Sequence, residues 1–101
     1  MSFESLKHLL WWVFVGTRGG PMRKKIMLSL LNSPANANQL AERLGVNYRT
    51  ILHHIRILEE NGLVKSEGPK YGKVYFPTDL ISKNMEVFNS VLSDGWGRKK
   101  R

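Results

Sequence analysis

Apolar residues recur along this chain in blocks divided by short clusters of Gly, Pro, Asn and Ser, so the breakers delimit the elements. The first block, from about Phe3 to Val15, is apolar round most of its helical circumference and ends at Gly16. Pro21 suits the first turn of a second helix, whose Ile26, Leu28, Leu30 and Leu31 run up to Asn32-Ser33-Pro34. Asn36 and Gln39 have the spacing of a capping box, Leu40, Ala41 and Leu44 form a short stripe, and Gly45 closes a third, short helix. Only Val46 separates Gly45 from Asn47, a good N-cap, after which Ile51, Ile55 and Leu58 keep helical spacing until Asn61-Gly62. The period then shifts: Leu63–Glu67 and Lys73–Phe76 read as two strands about a turn containing Gly68, Pro69 and Gly72. Asp79 is placed to cap a last helix carrying Leu80, Ile81, Met85, Phe88, Val91 and Leu92, before Gly95-Trp96-Gly97 and a basic end.

Two helices joined by so short a link must cross steeply, which is the helix-turn-helix arrangement, and a hairpin directly after it is a wing. The predicted fold is mainly α with a small β-hairpin (α+β): a winged helix-turn-helix with extra N- and C-terminal helices. At 101 residues it is a single domain. Within it we expect an apolar helix over 1–16, the winged core over 21–77, a helix over 79–93 and a basic tail over 94–101.

Composition narrows the partner. Sixteen Lys and Arg against eight Asp and Glu give a net charge of +8, which favours a polyanion without naming it. The chain has no cysteine, which excludes disulfides, thiolate catalysis and Cys-ligated metal. The run Leu9-Leu10-Trp11-Trp12-Val13-Phe14-Val15 is far short of the roughly 20 apolar residues a membrane span needs, and its flanks are not those of a signal peptide. No carboxylate pair, Ser/His/Asp arrangement or phosphate-cradling Gly loop is evident, so the chain reads as a non-enzyme without a cofactor. His53 and His54 point about 100° apart on a helix and are not expected to hold one metal ion; His54 suits a partly buried structural role.

The stretch NANQLAERLGVNYRTILHHIRILEENGLV, followed by KSEGPKYGKVYF, resembles the ArsR-like winged-helix regulators, and its layout is similar to short archaeal members. The resemblance implies a homodimer paired through its terminal helices. A cytoplasmic, nucleoid-associated location is expected of a DNA-binding chain. Metal-sensing members carry a cysteine pair in the recognition helix; this chain has none, so the resemblance carries no metal response and names no effector.

With Ile51, Ile55 and Leu58 turned to the core, the candidates for DNA contact on the recognition helix are Asn47, Tyr48, Arg49, Thr50, Leu52, His53 and Arg56. Arg49, near the helix start, suits bidentate recognition of guanine, whereas solvating a surface helix is its alternative role. In the wing Lys65, Lys70 and Lys73 suit phosphate and Tyr71 the backbone or minor groove, although edge lysines also discourage aggregation. Arg23, Lys24 and Lys25 crowd a helix start where cations are unfavourable unless an anion is near; of these Arg23 and Lys24 are candidate phosphate contacts. Phe3, Leu6, Leu10, Trp11 and Phe14 with Ile81, Met85, Phe88 and Leu92 are the candidate dimer interface, formed by helix exchange; membrane-surface attachment and simple packing within the chain are the alternatives for the apolar N-terminal helix. Arg98-Lys99-Lys100-Arg101 is either a solubilising end or a further phosphate contact.

The reading is a homodimeric, sequence-specific double-stranded-DNA-binding transcriptional regulator. A winged-helix module for protein or membrane-surface interaction, and a nonspecific chromatin-like binder, are the alternatives.

Overall fold

Ser2 starts the first helix by accepting the Ser5 N–H at 3.0 Å, and α1 runs over Phe3–Trp11. In this computed structural model the described residues are 2–94; the Gly95-Trp96-Gly97 segment and the Arg98–Arg101 end lie outside them. The expected single helix to Val15 differs in its last turn: Trp12–Gly16 widens into a π-helical turn. Gly16 leaves the space that the Trp11 ring occupies, where any Cβ would collide.

Helix α2 (Gly20–Asn32) has Pro21 in its first turn, and it buries Arg23, Ile26, Met27 and Leu30 along one stripe. Helix α3 (Ala37–Leu44) opens on the predicted capping box, with Gln39 N to Asn36 Oδ1 and Asn36 N to Gln39 Oε1 both 2.8 Å. Gly45 takes the left-handed conformation (φ 66°), which lets Val46 N bond back to Ala41 O at 3.0 Å and turns the chain into α4 (Tyr48–Glu60). Asn47 caps α4 by accepting the Arg49 N–H at 2.7 Å. At the other end Gly62 (φ 72°) repeats the device, with Leu63 N on Leu58 O at 2.9 Å.

Strands β1 (Val64–Glu67) and β2 (Val74–Pro77) pair antiparallel, Val64 facing Pro77 and Glu67 facing Val74. Ala35 adds a bridge that the chain pattern does not reveal: it exchanges hydrogen bonds with Tyr75 at 2.8 and 3.4 Å, tying the α2–α3 link to the wing.

The C-terminal segment departs from expectation twice. It is two helices, α5 (Asp79–Ser82) and α6 (Met85–Asp94), because Asn84 stops the first, its side chain donating to Leu80 O at 3.0 Å, and its carbonyl begins the second by accepting Phe88 N. The N-cap position of α5 is Thr78 rather than Asp79, and the Thr78 hydroxyl donates to Gly62 O instead of capping.

One core joins all these elements. Leu10, Val13 and Phe14 meet Ile26, Met27, Leu30, Ile51, Ile55, Leu58 and Phe88, with the Phe14 and Phe88 rings edge to face at 5.1 Å. This corrects the dimer-interface assignment for Leu6, Leu10, Phe14, Ile81 and Phe88, which are buried within the chain because α1 packs on α6 of the same molecule. Phe3, Trp11, Met85 and Leu92 keep surface, and so does Trp12, which is 47% exposed. No described helix is long and apolar enough to cross a membrane.

Candidate nucleic-acid interface

The two faces of α4 divide as helical geometry requires. Ile51, His54, Ile55 and Leu58 are buried, while Tyr48, Arg49, His53 and Arg56 are exposed, Leu52 is half-buried among them and Thr50 is half-buried at the margin of that face. Asn47 is exposed, but its side-chain oxygen is spent on the cap.

The start of α4 does not stand alone. Tyr48, the wing residues Lys70, Tyr71 and Lys73, and Asn36 and Asn38 at the start of α3 line one cleft of about 150 Å³. Two helix N-termini therefore converge with two lysines, and both the dipoles and the charges favour an anion there. Tyr71 projects at 84% exposure with the Lys70 ammonium 5.9 Å from its ring. No acidic residue occurs between Arg43 and Leu58 or between Gly68 and Thr78. The floor is Tyr75, whose hydroxyl is pushed up from its usual value by burial first, then by the charges of Glu59 and Tyr48, and so stays neutral. Asn36, Asn38 and Tyr75 were not among the predicted contacts; only their spatial neighbours, far off in sequence, mark them.

Lys24 and Lys65 are exposed but stand outside the cleft. Arg23 must be corrected outright, because at 3% exposure it cannot meet a DNA backbone. Its Nε donates to Val13 O of the π-helical turn at 2.9 Å, Nη2 to Thr17 Oγ1 at 2.6 Å and Nη1 to His54 Nδ1 at 3.2 Å. The Thr17 hydroxyl in turn donates to Trp12 O at 2.9 Å. Burial lowers the Arg23 pKa, yet a guanidinium stays charged in a protein interior. The sequence held a sign of this role: Arg23 lies three, four and seven residues before Ile26, Met27 and Leu30, on the apolar stripe of α2.

His54 is buried as expected of a structural residue, and His53 is exposed, their rings 4.9 Å apart. Among the described residues no three His, Asp or Glu side chains gather as a metal site requires.

A steeply crossed helix pair, an outward-facing basic helix and a lysine-tipped hairpin define a winged helix-turn-helix domain. Residues 20–66 match the family described as bacterial regulatory protein, arsR family. Its fold is that of solved ArsR-like regulators. It is similar to a transcriptional regulator homologue from Pyrococcus horikoshii OT3, at 28% identity and TM-score 0.67 over 91% of this chain and 97% of that one. It is similar also to an ArsR-like transcriptional regulator from Rhodococcus sp. RHA1, at 21% identity and TM-score 0.65 over 95% and 87%. The transcriptional repressor BigR from Xylella fastidiosa aligns at 17% identity and TM-score 0.65 over 93% and 87%. The sequence matches no curated protein.

Proposed function

We propose that this protein is a homodimeric regulator of transcription that binds a specific site on double-stranded DNA. The observation that carries the reading is the meeting of the α4 start, the α3 start and the wing lysines on one cleft that no acidic residue lines, beside the exposed face of Arg49, Leu52, His53 and Arg56. In this arrangement α4 lies in the major groove, Arg49 donates to base edges near the helix start, and Lys70, Lys73 and Tyr71 hold the flanking backbone. Lys24 and Lys65 add phosphate contacts at the margins. Acting on the genome places it in the cytoplasm with the nucleoid.

The dimer is supported by the apolar surface left on α1 and α6. Leu9, Trp11 and Trp12, with His8 and Asn61, line an open groove of about 530 Å³, and Phe3, Met85 and Leu92 also keep apolar surface. A twofold dimer reads two half-sites about one helical turn apart.

Selection of bound duplexes from a random DNA pool tests the reading, with a salt titration of the winner against random duplex. We expect an inverted-repeat site preferred by about a thousandfold or more. Equal affinity for all duplexes would replace specific regulation by general DNA coating, and no binding at low salt would end the DNA reading altogether.

A further inference from the structure

The guanidinium of Arg23 is a buried charge without a counter-ion. No acidic residue lies between Ser5 and Ala41, a stretch that also holds Lys7, Arg18, Lys24 and Lys25, and no carboxylate of the described residues reaches ion-pair distance of Arg23. Burying a lone cation is costly unless it is paired. Its hydrogen-bond partners are two neutral oxygens and one imidazole nitrogen, which use three of the five N–H donors a guanidinium has, and the Trp12 ring lies 5.9 Å from its central carbon. Two donors remain unspent.

Arg23 also forms a wall of a cleft. About 440 Å³ in volume, it is bounded by Arg18, Met22 and Arg23 on the α2 side and by Thr50, His53 and His54 on α4. The volume is that of a small-molecule site. The start of α2, which no side chain caps, lends its positive end. Gly19 belongs to the same construction: a Cβ there would run into Arg23 Nη1 and come 2.8 Å from His54 Cε1, so glycine is what lets the guanidinium and imidazole approach.

We propose that this cleft is an effector site for a small organic carboxylate, which takes the unspent N–H donors of Arg23, with Arg18 at the mouth and the ligand's apolar body against Met22. A monoanion matches the single buried charge, and Met22 favours a carboxylate with a hydrocarbon body over a bare inorganic ion. A DNA phosphate, tied to its duplex, does not reach a residue 3% exposed. The bound carboxylate lies against Thr50 and His53, so it biases the helix that faces DNA. That coupling rests on the regulator reading above, whereas binding of the carboxylate does not.

The test uses the full chain without DNA. Benzoate is titrated by calorimetry and followed through tryptophan fluorescence, since the Trp12 ring lies 5.9 Å from the Arg23 guanidinium; benzamide is the uncharged control and inorganic phosphate the bare anion. We expect saturable benzoate binding, no response to benzamide, weaker binding of phosphate, and at least about tenfold loss in Arg23→Lys, whose ammonium lacks the paired donors. Because Arg23→Lys can fail to fold, Arg18→Gln and Met22→Trp provide a second check: the first weakens binding several-fold and the second, filling the cleft, abolishes it. Absence of saturation below about 10 mM, equal binding of benzamide, tighter binding of phosphate, or full affinity in Met22→Trp overturns the proposal. With the selected DNA site in hand, saturating benzoate should change its affinity by about fivefold or more. Benzoate binding without any DNA binding would keep the site and dismiss the regulator reading; an unchanged DNA affinity would remove the coupling alone.

Discussion

Nη1 of Arg23 lies 3.2 Å from Nδ1 of His54, so the first helix of the winged core is tied to the buried side of the recognition helix by one hydrogen bond across 31 residues. Arginine has no acceptor, so the guanidinium donates and Nδ1 of His54 carries the lone pair. A protonated His54 would have to give that bond up and face a cation.

From this follows a pH dependence. The imidazole of His54 is held below its ordinary value, by burial first, then by the Arg23 charge and then by His53. The groups facing it are Arg23 from α2 and His53 beside it, with Arg18 on the same cleft, and none is acidic. A depressed folded pKa means that the unfolded chain binds the proton first. The stabilisation is therefore full above the unfolded value near 6.5 and is lost as pH falls through the lower folded value. Thermal melts taken from about pH 7.5 down to about pH 5 should show the wild type losing more stability than His54→Gln. Parallel losses in the two proteins would show that the Arg23–His54 contact does not govern acid sensitivity.

Arg49 and Lys73 should fail in different ways. Arg49 is exposed one residue into α4, where a guanidinium meets base edges, whereas Lys73 lines the cleft with the wing tip. Arg49→Ala is expected to cost about 1–3 kcal/mol on the selected site and little on random duplex. Lys73→Ala should weaken both alike and lower the salt slope by about 0.9. Competition titrations at two or more salt concentrations separate the outcomes, and a uniform loss in Arg49→Ala would make that residue a phosphate contact.

Gly45 sets the crossing of α3 and α4. Its φ of 66° is a conformation that side chains adopt at a cost of about 1–2 kcal/mol, and no neighbour lies within 4 Å of where a Cβ would sit. Gly45→Ala should therefore lower stability through backbone strain alone, by about 1 kcal/mol in urea unfolding. A stabilised variant would mean that the turn relaxes to another conformation, which the loss of DNA affinity would then report.

How much of this was legible in the chain depends on the range of the forces involved. The Asn36–Gln39 box, the Asn47 cap and the turn at Gly45 act within a few residues, so the local pattern reveals them. The split between the two faces of α4 follows from the 3.6-residue period in the same way. Arg23 was misread because Arg23, Lys24 and Lys25 look alike as composition. What separates them is a carbonyl in the π-helical turn and an imidazole on α4, which only the tertiary fold brings near. The strongly apolar N-terminal helix correctly signalled a need for cover, but the pattern could not say that α6 of the same chain supplies most of it. The bridge from Ala35 to Tyr75 and the cleft beneath Tyr48 are likewise non-local.

The burial of Leu6, Leu10 and Phe14 changes how the dimer must be tested. Removing the N-terminal helix would strip those residues and Val13 from the core, and the loss of large buried apolar side chains at about 2–5 kcal/mol each would unfold the molecule rather than separate subunits. A half-buried residue of the outer groove is the better target. Leu9 lines that groove with Trp11 and Trp12 and is not part of the fully buried core. Leu9→Glu places a charge where a second copy would have to desolvate it, so sedimentation velocity should show a dimer becoming a monomer, with the circular dichroism of a folded helical protein retained. A twofold regulator so divided should occupy single half-sites with affinity reduced by about a hundredfold or more, because the linked second contact is lost. A Leu9→Glu protein that remains a dimer would move the interface away from this groove.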